Sequence, residues 1–342
     1  MKQTPPLSII LPVYNAASYL EAAFCSLKRQ TLTDFEVLCI NDRSTDDSLM
    51  RLKRQAARDA RFVVIDSPKN LGAGGARNLG LAAASGQYIT FLDADDTLEP
   101  TLYARAVCFA EATGADEVVF GLTEEHYDRR ERHLRSVPIA PPTAVYRTEA
   151  DRMTAFLELA RTTLFGYQWN SVYRAELIRR HNIRFETALF YEDFFFNLAV
   201  AERVQVLATL HDTGYHYFKR QNQSVTHRFT KDYFALSYRR IAELVAFLER
   251  RRFLTGYACD LLGGRLLRYT LSALCRNTDP RADMTFRTRK RWFLACCDRA
   301  LFGRLLPASR PAHPAFFVLK RSILQKKALP ALSLGRLVAW LR

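Results

Sequence analysis

The sequence predicts an α/β fold: a mainly parallel sheet with helices on both faces, followed by a C-terminal helical basic region. Three observations carry this. Through roughly the first 120 residues, short β-branched runs alternate with helical patterns, the signature of strands joined by crossover helices. Three polar clusters, Tyr14-Asn15, Asn41-Asp42 and Asp93 to Asp96, each follow an apolar run, at the carboxyl strand ends where open α/β sheets take their ligands. From Lys231 onward the pattern is helical and basic almost to the end.

Leu7-Ser8-Ile9-Ile10-Leu11-Pro12-Val13 is the first predicted strand. Ser18 and Glu21 have the spacing of a capping box for a helix reaching about Gln30. Phe35 to Ile40 is the second strand and runs into Asn41-Asp42-Arg43-Ser44; a polar helix follows to about Asp59, then a third strand, Phe62-Val63-Val64-Ile65. The glycine-rich stretch Asn70 to Gly75 precedes a small-residue helix reaching about Ser85. The buried strand Tyr88 to Leu92 delivers Asp93 at its carboxyl end. Another helix begins near Pro100, and Glu117 to Gly121 is a further strand. Residues 122–147, with Pro138, Pro141 and Pro142, read as an irregular loop or hairpin. A helix from about Thr148 leads to Gly166-Tyr167-Gln168-Trp169-Asn170; Tyr191 to Val204 is helical and Gly214 to Lys219 extended. We divide the chain into a domain over 1–230 and a helical region over 231–342.

Length and composition fit a globular enzyme: 342 residues, 49% hydrophobic and 25% charged, give no sign of disorder or a fibrous repeat. The seven cysteines are odd in number, lack a C-x-x-C pair and mostly have apolar neighbours, which argues against a zinc site or a disulfide framework and for a reducing cytoplasm. The N-terminal residues show no secretory apolar region, and no apolar run approaches the roughly 20 residues that span a bilayer. The net charge of +15 is unevenly placed: residues 231–342 hold 23 Lys/Arg against 7 Asp/Glu. The excess lies in that last third and suggests an anionic partner, or else a solvated helical face.

The turn Asp93-Ala94-Asp95-Asp96 is the strongest chemical feature. Carboxylates at i and i+2 after a buried strand suit one hard cation, Mg²⁺ or Mn²⁺, which completes its shell with phosphate oxygens and water. The same turn also reads as a plain acidic cap, or, as Asp93-Ala94-Asp95-Asp96-Thr97, as the nucleophile loop of a haloacid-dehalogenase-like phosphatase. Three strands precede it, where that loop normally ends the first. A dinucleotide fold is excluded at Pro12 to Ser18, which lacks the glycine fingerprint. Asn70-Leu71-Gly72-Ala73-Gly74-Gly75 lacks the Walker lysine and Ser/Thr, yet its glycines would allow backbone to come close to a phosphate or nucleoside.

In this order the run Ser8 to Asn15, the cluster Asn41-Asp42-x-Ser44-Thr45-Asp46, the pair Asn70-x-Gly72 with Ala76-Arg77-Asn78-x-Gly80, and the Asp93 turn resemble a family 2 inverting glycosyltransferase of the GT-A, Rossmann-like fold, over roughly residues 7–230. Arg43 departs from the family, which usually has glycine there. The resemblance implies a nucleotide-diphosphate sugar donor, with residues 1–121 binding it and 122–230 supplying the acceptor side and the base. Pro12, Tyr14 and Asn15 would line the nucleoside site and Asp42 would hydrogen-bond the base, commonly uracil. Arg77, with Asn70 and Gly74, would meet ribose, phosphate or sugar hydroxyls; a helix-surface ion pair is the plainer role for Arg77. Asp93 would touch ribose or sugar, and Asp95 would hold the metal against the diphosphate. Tyr191-Glu192-Asp193 resembles the family's E-D motif, which makes Asp193 the general base beside Glu192, or leaves both as helix-start acids. The segment Tyr215 to His227 resembles the family's stretch that closes near the donor, where Arg220, Ser224 or His227 would approach the pyrophosphate; a lone His such as His227 is more often a satisfied structural residue. Trp169 and Asn170 would contact the acceptor, unless they are core residues.

Two further readings accompany the resemblance. Arg287, Arg289, Lys290 and Arg291 precede Trp292 and Phe293, and Lys320, Arg321, Lys326 and Lys327 flank apolar residues. Such helices suit an anionic membrane surface, at about 1 kcal/mol per basic side chain near the leaflet, and place the protein peripherally at the inner face of the cytoplasmic membrane, acting on a glycan or lipid-linked glycan acceptor in surface polysaccharide or lipopolysaccharide synthesis. A non-catalytic protein binding a sugar nucleotide or an anionic polymer is the third possibility; nucleic acid is not expected as a partner, because no nucleic-acid motif accompanies the charge.

Overall fold

A run of mostly branched apolar residues, all buried except the half-buried Pro12, makes the first strand, β1 (Leu7–Val13), and it sits inside a sheet. The structure, a computed structural model, describes residues 4–187, 191–220 and 229–341. It divides into two units, Met1–Ser224 and Val225–Arg342.

In the first unit β1 leads to α1 (Leu20–Lys28), β2 (Phe35–Asn41), α2 (Ser48–Arg58), β3 (Phe62–Asp66), α3 (Gly72–Ala83) and β4 (Tyr88–Phe91). Then come β5 (Thr97–Leu98), α4 (Leu102–Thr113), β6 (Glu117–Phe120), β7 (Leu122–Tyr127), β8 (His133–Ile139) and β9 (Ala144–Tyr146). The unit finishes with α5 (Glu149–Arg161), β10 (Ser171–Arg174), α6 (Ala175–Arg180), α7 (Glu192–Ala201), β11 (Leu207–Leu210) and β12 (Tyr215–Arg220). Eight strands form one sheet in the order β3-β2-β1-β4-β10-β6-β11-β9. β1, β2, β3 and β4 are parallel, as are β6 and β11, while β10 inserts antiparallel between β4 and β6. A second sheet, β5-β12-β7-β8, pairs the end of the acidic turn with β12. The α/β fold with a mainly parallel sheet is as the sequence predicts.

Two local expectations change, and of the loop or hairpin expected over 122–147 it is the hairpin that forms. The capping box does not form: α1 starts at Leu20, without a side-chain cap, and Glu21 meets Cys25 Sγ instead. The donors of the turn before it are taken by another segment, as Ala16 N–H donates to Ser48 Oγ and Ala17 N–H to Asp46 Oδ2. The glycine-rich stretch is not a loop ahead of a helix, because α3 already begins at Gly72. Residues 122–147 are largely ordered as the β7–β8 hairpin plus β9. Thr148 does cap α5, its side chain accepting from Asp151 N–H.

In the second unit α8 (Tyr233–Arg250) and α9 (Gly256–Arg276) are followed by α10 (Phe286–Cys297), α11 (Ala300–Leu305), α12 (Pro314–Leu324) and α13 (Ala328–Trp340). α9 is central, burying Leu262, Leu266, Leu267, Leu271 and Leu274 against α8, α11, α12 and α13. Gly335 lets α13 close onto α9, since a Cβ there would stand 2.8 Å from Leu274 Cβ.

Arg43 occupies the left-handed region, φ 64°, with its side chain exposed. A non-glycine residue there carries strain of roughly 1 kcal/mol or more. Arg43→Gly is therefore expected to raise stability by about 0.5–1 kcal/mol after the added chain entropy, read as a higher urea midpoint at unchanged slope. A lower midpoint would mean that the Arg43 side chain holds the turn.

Glu117 is buried in β6, with Ser171 Oγ donating to it at 3.1 Å. Burial pushes its carboxyl up to about 7. The folded state thus holds a proton that the unfolded chain releases, and this stability is complete below about pH 4.5 and lost as pH rises through about 7. Glu117→Gln is expected to stabilise the protein by about 1–3 kcal/mol at pH 8 and by little at pH 5. An equal effect at both values would show that ionisation is not the cause.

Candidate active site

The turn after β1 is fixed from outside. Asn15 takes a left-handed conformation, φ 50°, its N–H donating to Ser44 Oγ while its side-chain oxygen accepts from Thr45 N–H. With the bonds from Ala16 and Ala17 to Ser48 and Asp46, the Ser44–Ser48 segment occupies three consecutive amides of this turn. Those amides are therefore bracing, not an anion site. Pro12 lies beside Ile40 in the β1–β2 pair, and Tyr14, just past the strand end, is 55% exposed. Asp42 is buried at the next strand end, where its Oδ1 accepts from Leu71 N–H at 2.7 Å and its carbonyl accepts from Asn70 Nδ2 at 3.0 Å. The strand-end clusters after β1 and β2 are thereby joined to each other and to the start of α3.

Each fixed residue of the Ala76-Arg77-Asn78-x-Gly80 run has its own task on α3. Gly80 sits on β1, where a Cβ would reach 2.4 Å from Ile10 Cγ2. Asn78 clamps Phe185 by both backbone groups, donating to its carbonyl at 2.9 Å and accepting from its N–H at 2.8 Å. Gly74 admits the same segment, since a Cβ there would stand 2.7 Å from the Glu186 carbonyl and 3.6 Å from Glu192 Cγ. Its closest contacts are thus with protein.

Arg77 points into the middle of the unit, with only 5% of its side chain exposed. Its Nη2 donates to Asp93 Oδ1 at 3.0 Å, and its Nη1 to Asp193 Oδ1 at 2.8 Å and Glu192 Oε1 at 3.5 Å. The amide of Gln168, wholly buried, accepts from Arg77 Nη2 and Nε at 2.9 and 3.1 Å and donates to Asp193 Oδ1 at 3.1 Å. Burial alone would pull the guanidinium down, but Asp193, Asp93 and Glu192 more than reverse this and hold it above its ordinary value. A buried hub replaces the helix-surface ion pair. It joins the acidic turn, α3 and the N-terminal end of α7 at one cation.

The three carboxylates of the acidic turn have separate fates. Asp93 belongs to the hub with 28% of its side chain exposed. Asp95 is 46% exposed, its Oδ2 3.4 Å from Arg220 Nη1; burial, then the charge of Asp93, raise its carboxyl to about 6 against the pull of Arg220. Asp96 faces inward, accepting from Tyr215 Oη at 2.8 Å and Phe218 N–H at 3.0 Å, with its carboxyl raised by burial and by Asp95 and Asp93. Asp93 and Asp95 offer hard oxygen ligands at one turn. Among the described residues no group of three or more His, Cys, Asp or Glu forms a cage for a cation. This donor set fits Mg²⁺ or Mn²⁺, which are commonly held by one or two carboxylates and completed by phosphate and water.

Arg220 lies over the Tyr19 ring at 4.5 Å and the Phe218 ring at 4.7 Å, which fixes its guanidinium beside Asp95. Trp169 is corrected from an acceptor contact to a core residue: it is buried, with Tyr215 stacked at 4.1 Å and Tyr167 at 4.6 Å. Asn170 is likewise internal, donating to the carbonyls of Phe120 and Leu164. Ser224 and His227 lie outside the described residues. Gln168, Asn78 and Tyr215 are site residues to which the sequence assigned no role, although Asn78 stands in the run beside Arg77; Asp96 was read only as part of the acidic turn.

Comparison with known proteins follows this geometry. The family model described as glycosyl transferase family 2 matches residues 8–181, just over half of the chain. The uncharacterized glycosyltransferase EpsJ of Bacillus subtilis (strain 168) is 37% identical over 233 residues, 65% of this chain and 63% of EpsJ. The cholesterol galactosyltransferase of Borreliella burgdorferi is 29% identical over 217 residues, 63% of this chain and 60% of that protein. The chain thus spans less than two thirds of either relative's length. Among solved structures, S. aureus TarS 1–349 has a TM-score of 0.66 at 19% identity, covering 98% of this chain and 92% of that one. TarS in complex with UDP-GlcNAc gives the same TM-score at 17% identity, with the same coverage of both chains. The match across the strand-end clusters, α3 and the acidic turn, together with this fold, shows that the chain belongs to glycosyltransferase family 2 and is an enzyme of the GT-A type.

Proposed function

We propose that the enzyme moves a sugar from a UDP-sugar to an acceptor hydroxyl with inversion at the anomeric carbon, in the synthesis of a surface polysaccharide or lipopolysaccharide glycan. The observation that carries this is the Arg77 hub. One buried guanidinium holds Asp93 of the donor-side turn and Asp193 of α7 at 3.0 and 2.8 Å. A leaving-group site and a base thus stand at fixed positions on either side of one planar fork. The choice of UDP is supported by the TarS complexes with UDP-GlcNAc and UDP.

Asp193 is the general base. Arg77 and Gln168 orient it, and 27% of its side chain remains exposed to an incoming hydroxyl. It takes the acceptor proton as the new bond to the anomeric carbon forms, and the electrons of the old bond leave with the diphosphate. Glu192 stays with the hub beside it. Tyr14, Asn15, Pro12 and Asp42 bound the nucleoside side, with Asn70 holding Asp42's loop. Arg220, fixed beside Asp95, adds positive charge where the diphosphate departs. Asp95 and Asp93 would hold Mg²⁺ or Mn²⁺, which when bound neutralises charge on the leaving group.

Slow release of UDP from a UDP-sugar in the presence of Mn²⁺ tests this reading. Asp95→Ala is expected to abolish the metal stimulation, and in the parent enzyme the Mn²⁺ concentration needed for stimulation is expected to rise as pH drops below about 6, where a proton competes with the metal for Asp95. Asp193→Asn is expected to lower transfer to acceptor by about 10²–10⁴ with UDP affinity unchanged. Transfer that survives Asp193→Asn within a factor of about three would remove Asp193 as base.

We also propose docking of the helical unit on an anionic membrane at the inner face of the cytoplasmic membrane, where a lipid-linked acceptor lies. Among the described residues no helix is long and apolar enough to cross a membrane. The support is a mixed surface: Phe317 and Leu324 of α12 and Leu329, Leu337 and Trp340 of α13 are exposed, with Arg321, Lys326, Lys327 and Arg336 among them. Basic groups draw such helices to anionic headgroups and the apolar side chains enter the interface. Flotation with anionic liposomes is expected at low salt and to weaken at high salt. Failure to float in either condition would end the idea.

A further inference from the structure

The second sheet carries His126, His133 and His216, and the last of these is held at both ring nitrogens. His216 Nδ1 is 2.9 Å from Glu125 Oε1 of β7, and its Nε2 is 3.1 Å from Glu99 Oε1, just past β5. A neutral imidazole has one N–H and would turn a lone pair on one of these carboxylates; only the imidazolium donates to both. Burial would raise the Glu125 carboxyl, but bonds from Ser136, His216 and His133 bring it below its ordinary value. One positive charge thus ties β12 to β7 on one side and to the outgoing end of the acidic turn on the other. The other charged groups around it have partners of their own. His133 Nε2 meets Glu125 Oε2 at 2.8 Å, Lys219 and His126 share Glu124, and Arg105 of α4 pairs with Asp212.

Side chains alternate along a strand, so His216, Phe218 and Arg220 share one face of β12. Phe218 lies under Arg220 at 4.7 Å. Tyr127 stands 5.8 Å from Phe218 and 6.0 Å from Arg220, and His133 is edge-on to Tyr127 at 5.3 Å. Phe218 N–H also donates to Asp96 Oδ1 at 3.0 Å. The Glu99–His216–Glu125 bridge therefore braces the strand and the rings on which the Arg220 guanidinium rests, 3.4 Å from Asp95. Loss of one proton from the ring frees one end of the bridge and loosens β12 from the acidic turn.

We propose that His216 is a positioning residue: as an imidazolium between Glu99 and Glu125 it sets β12, and with it Arg220, against the acidic turn, so that donor binding depends on its proton. This rests on the reading of Arg220 and Asp95 as diphosphate-side residues.

Calorimetry of UDP binding to the full-length protein with Mg²⁺, between about pH 7 and 9, tests the role. The parent is expected to bind UDP about five- to tenfold more weakly at the upper pH, because the imidazolium is lost there. His216→Lys keeps its charge over that range and is expected to vary less than about twofold. His216→Gln is expected to bind about five- to tenfold more weakly at about pH 7 and to lose the pH dependence, with its circular dichroism unchanged. Glu99→Gln removes one charge at the surface and is expected to move the fall in affinity to lower pH, a shift that a merely structural contact does not produce. Nitrogen NMR of the imidazole is expected to show both His216 ring nitrogens protonated at about pH 7. The inference is overturned if a single N–H is found there, if the parent and His216→Lys share one pH curve, or if His216→Gln binds UDP as the parent does. Absence of UDP binding by the parent at every pH rejects the donor reading and the positioning role with it; equal binding by parent and variants rejects the positioning role alone.

Discussion

One buried guanidinium organises the catalytic unit. Taking Arg77 out of water is costly, several kcal/mol for an ion of this kind even after relaxation. It is stable there because Asp93, Asp193 and Glu192 surround it and Gln168 completes its hydrogen bonds. The arrangement is reciprocal. Without Arg77 three acidic groups would crowd one another, and without them the guanidinium would be buried unpaired. Such an assembly holds its members at defined positions, which is what a displacement between two bound substrates requires of the groups that act on them.

The acidic turn shows how neighbours divide chemically identical side chains. Asp93, Asp95 and Asp96 are adjacent or nearly so, yet one is tied to the hub, one reaches solvent and one is internal. Asp96 anchors the turn to β12 through Tyr215 and Phe218, and Tyr215 is held by the Trp169 stack. The aromatic layer thus supports the turn from beneath. Asp95 is the freest of the three and the best placed to meet an ion or a diphosphate.

The helical unit differs in kind. Its interior is leucine-rich packing around α9, while its surface mixes basic and apolar side chains on α12 and α13. With the family established, the phosphatase and non-catalytic readings of the chain are set aside.

The first four strands, β6 and β12, the order of the polar clusters and the transferase family were legible in the sequence, because β-branched runs and strand-end polar residues depend only on neighbours along the chain. Arg77, Asp93 and Asp193 could be singled out there by type and spacing, but their meeting could not. Arg77 and Asp193 are brought together by the Asn78 clamp on Phe185 and the bare Cα of Gly74, over a separation of 116 residues. Gln168 had no local signature, and Asp96 could not be told from Asp93 and Asp95 within the acidic turn, since a buried amide and a buried acid are defined by what folds over them. For the same reason Trp169 was open to two roles until both its faces were seen to be covered by tyrosines. Local pattern chose the elements and the candidate chemistry; burial and long-range hydrogen bonding, which exist only once the chain has closed, decided which side chains face a substrate.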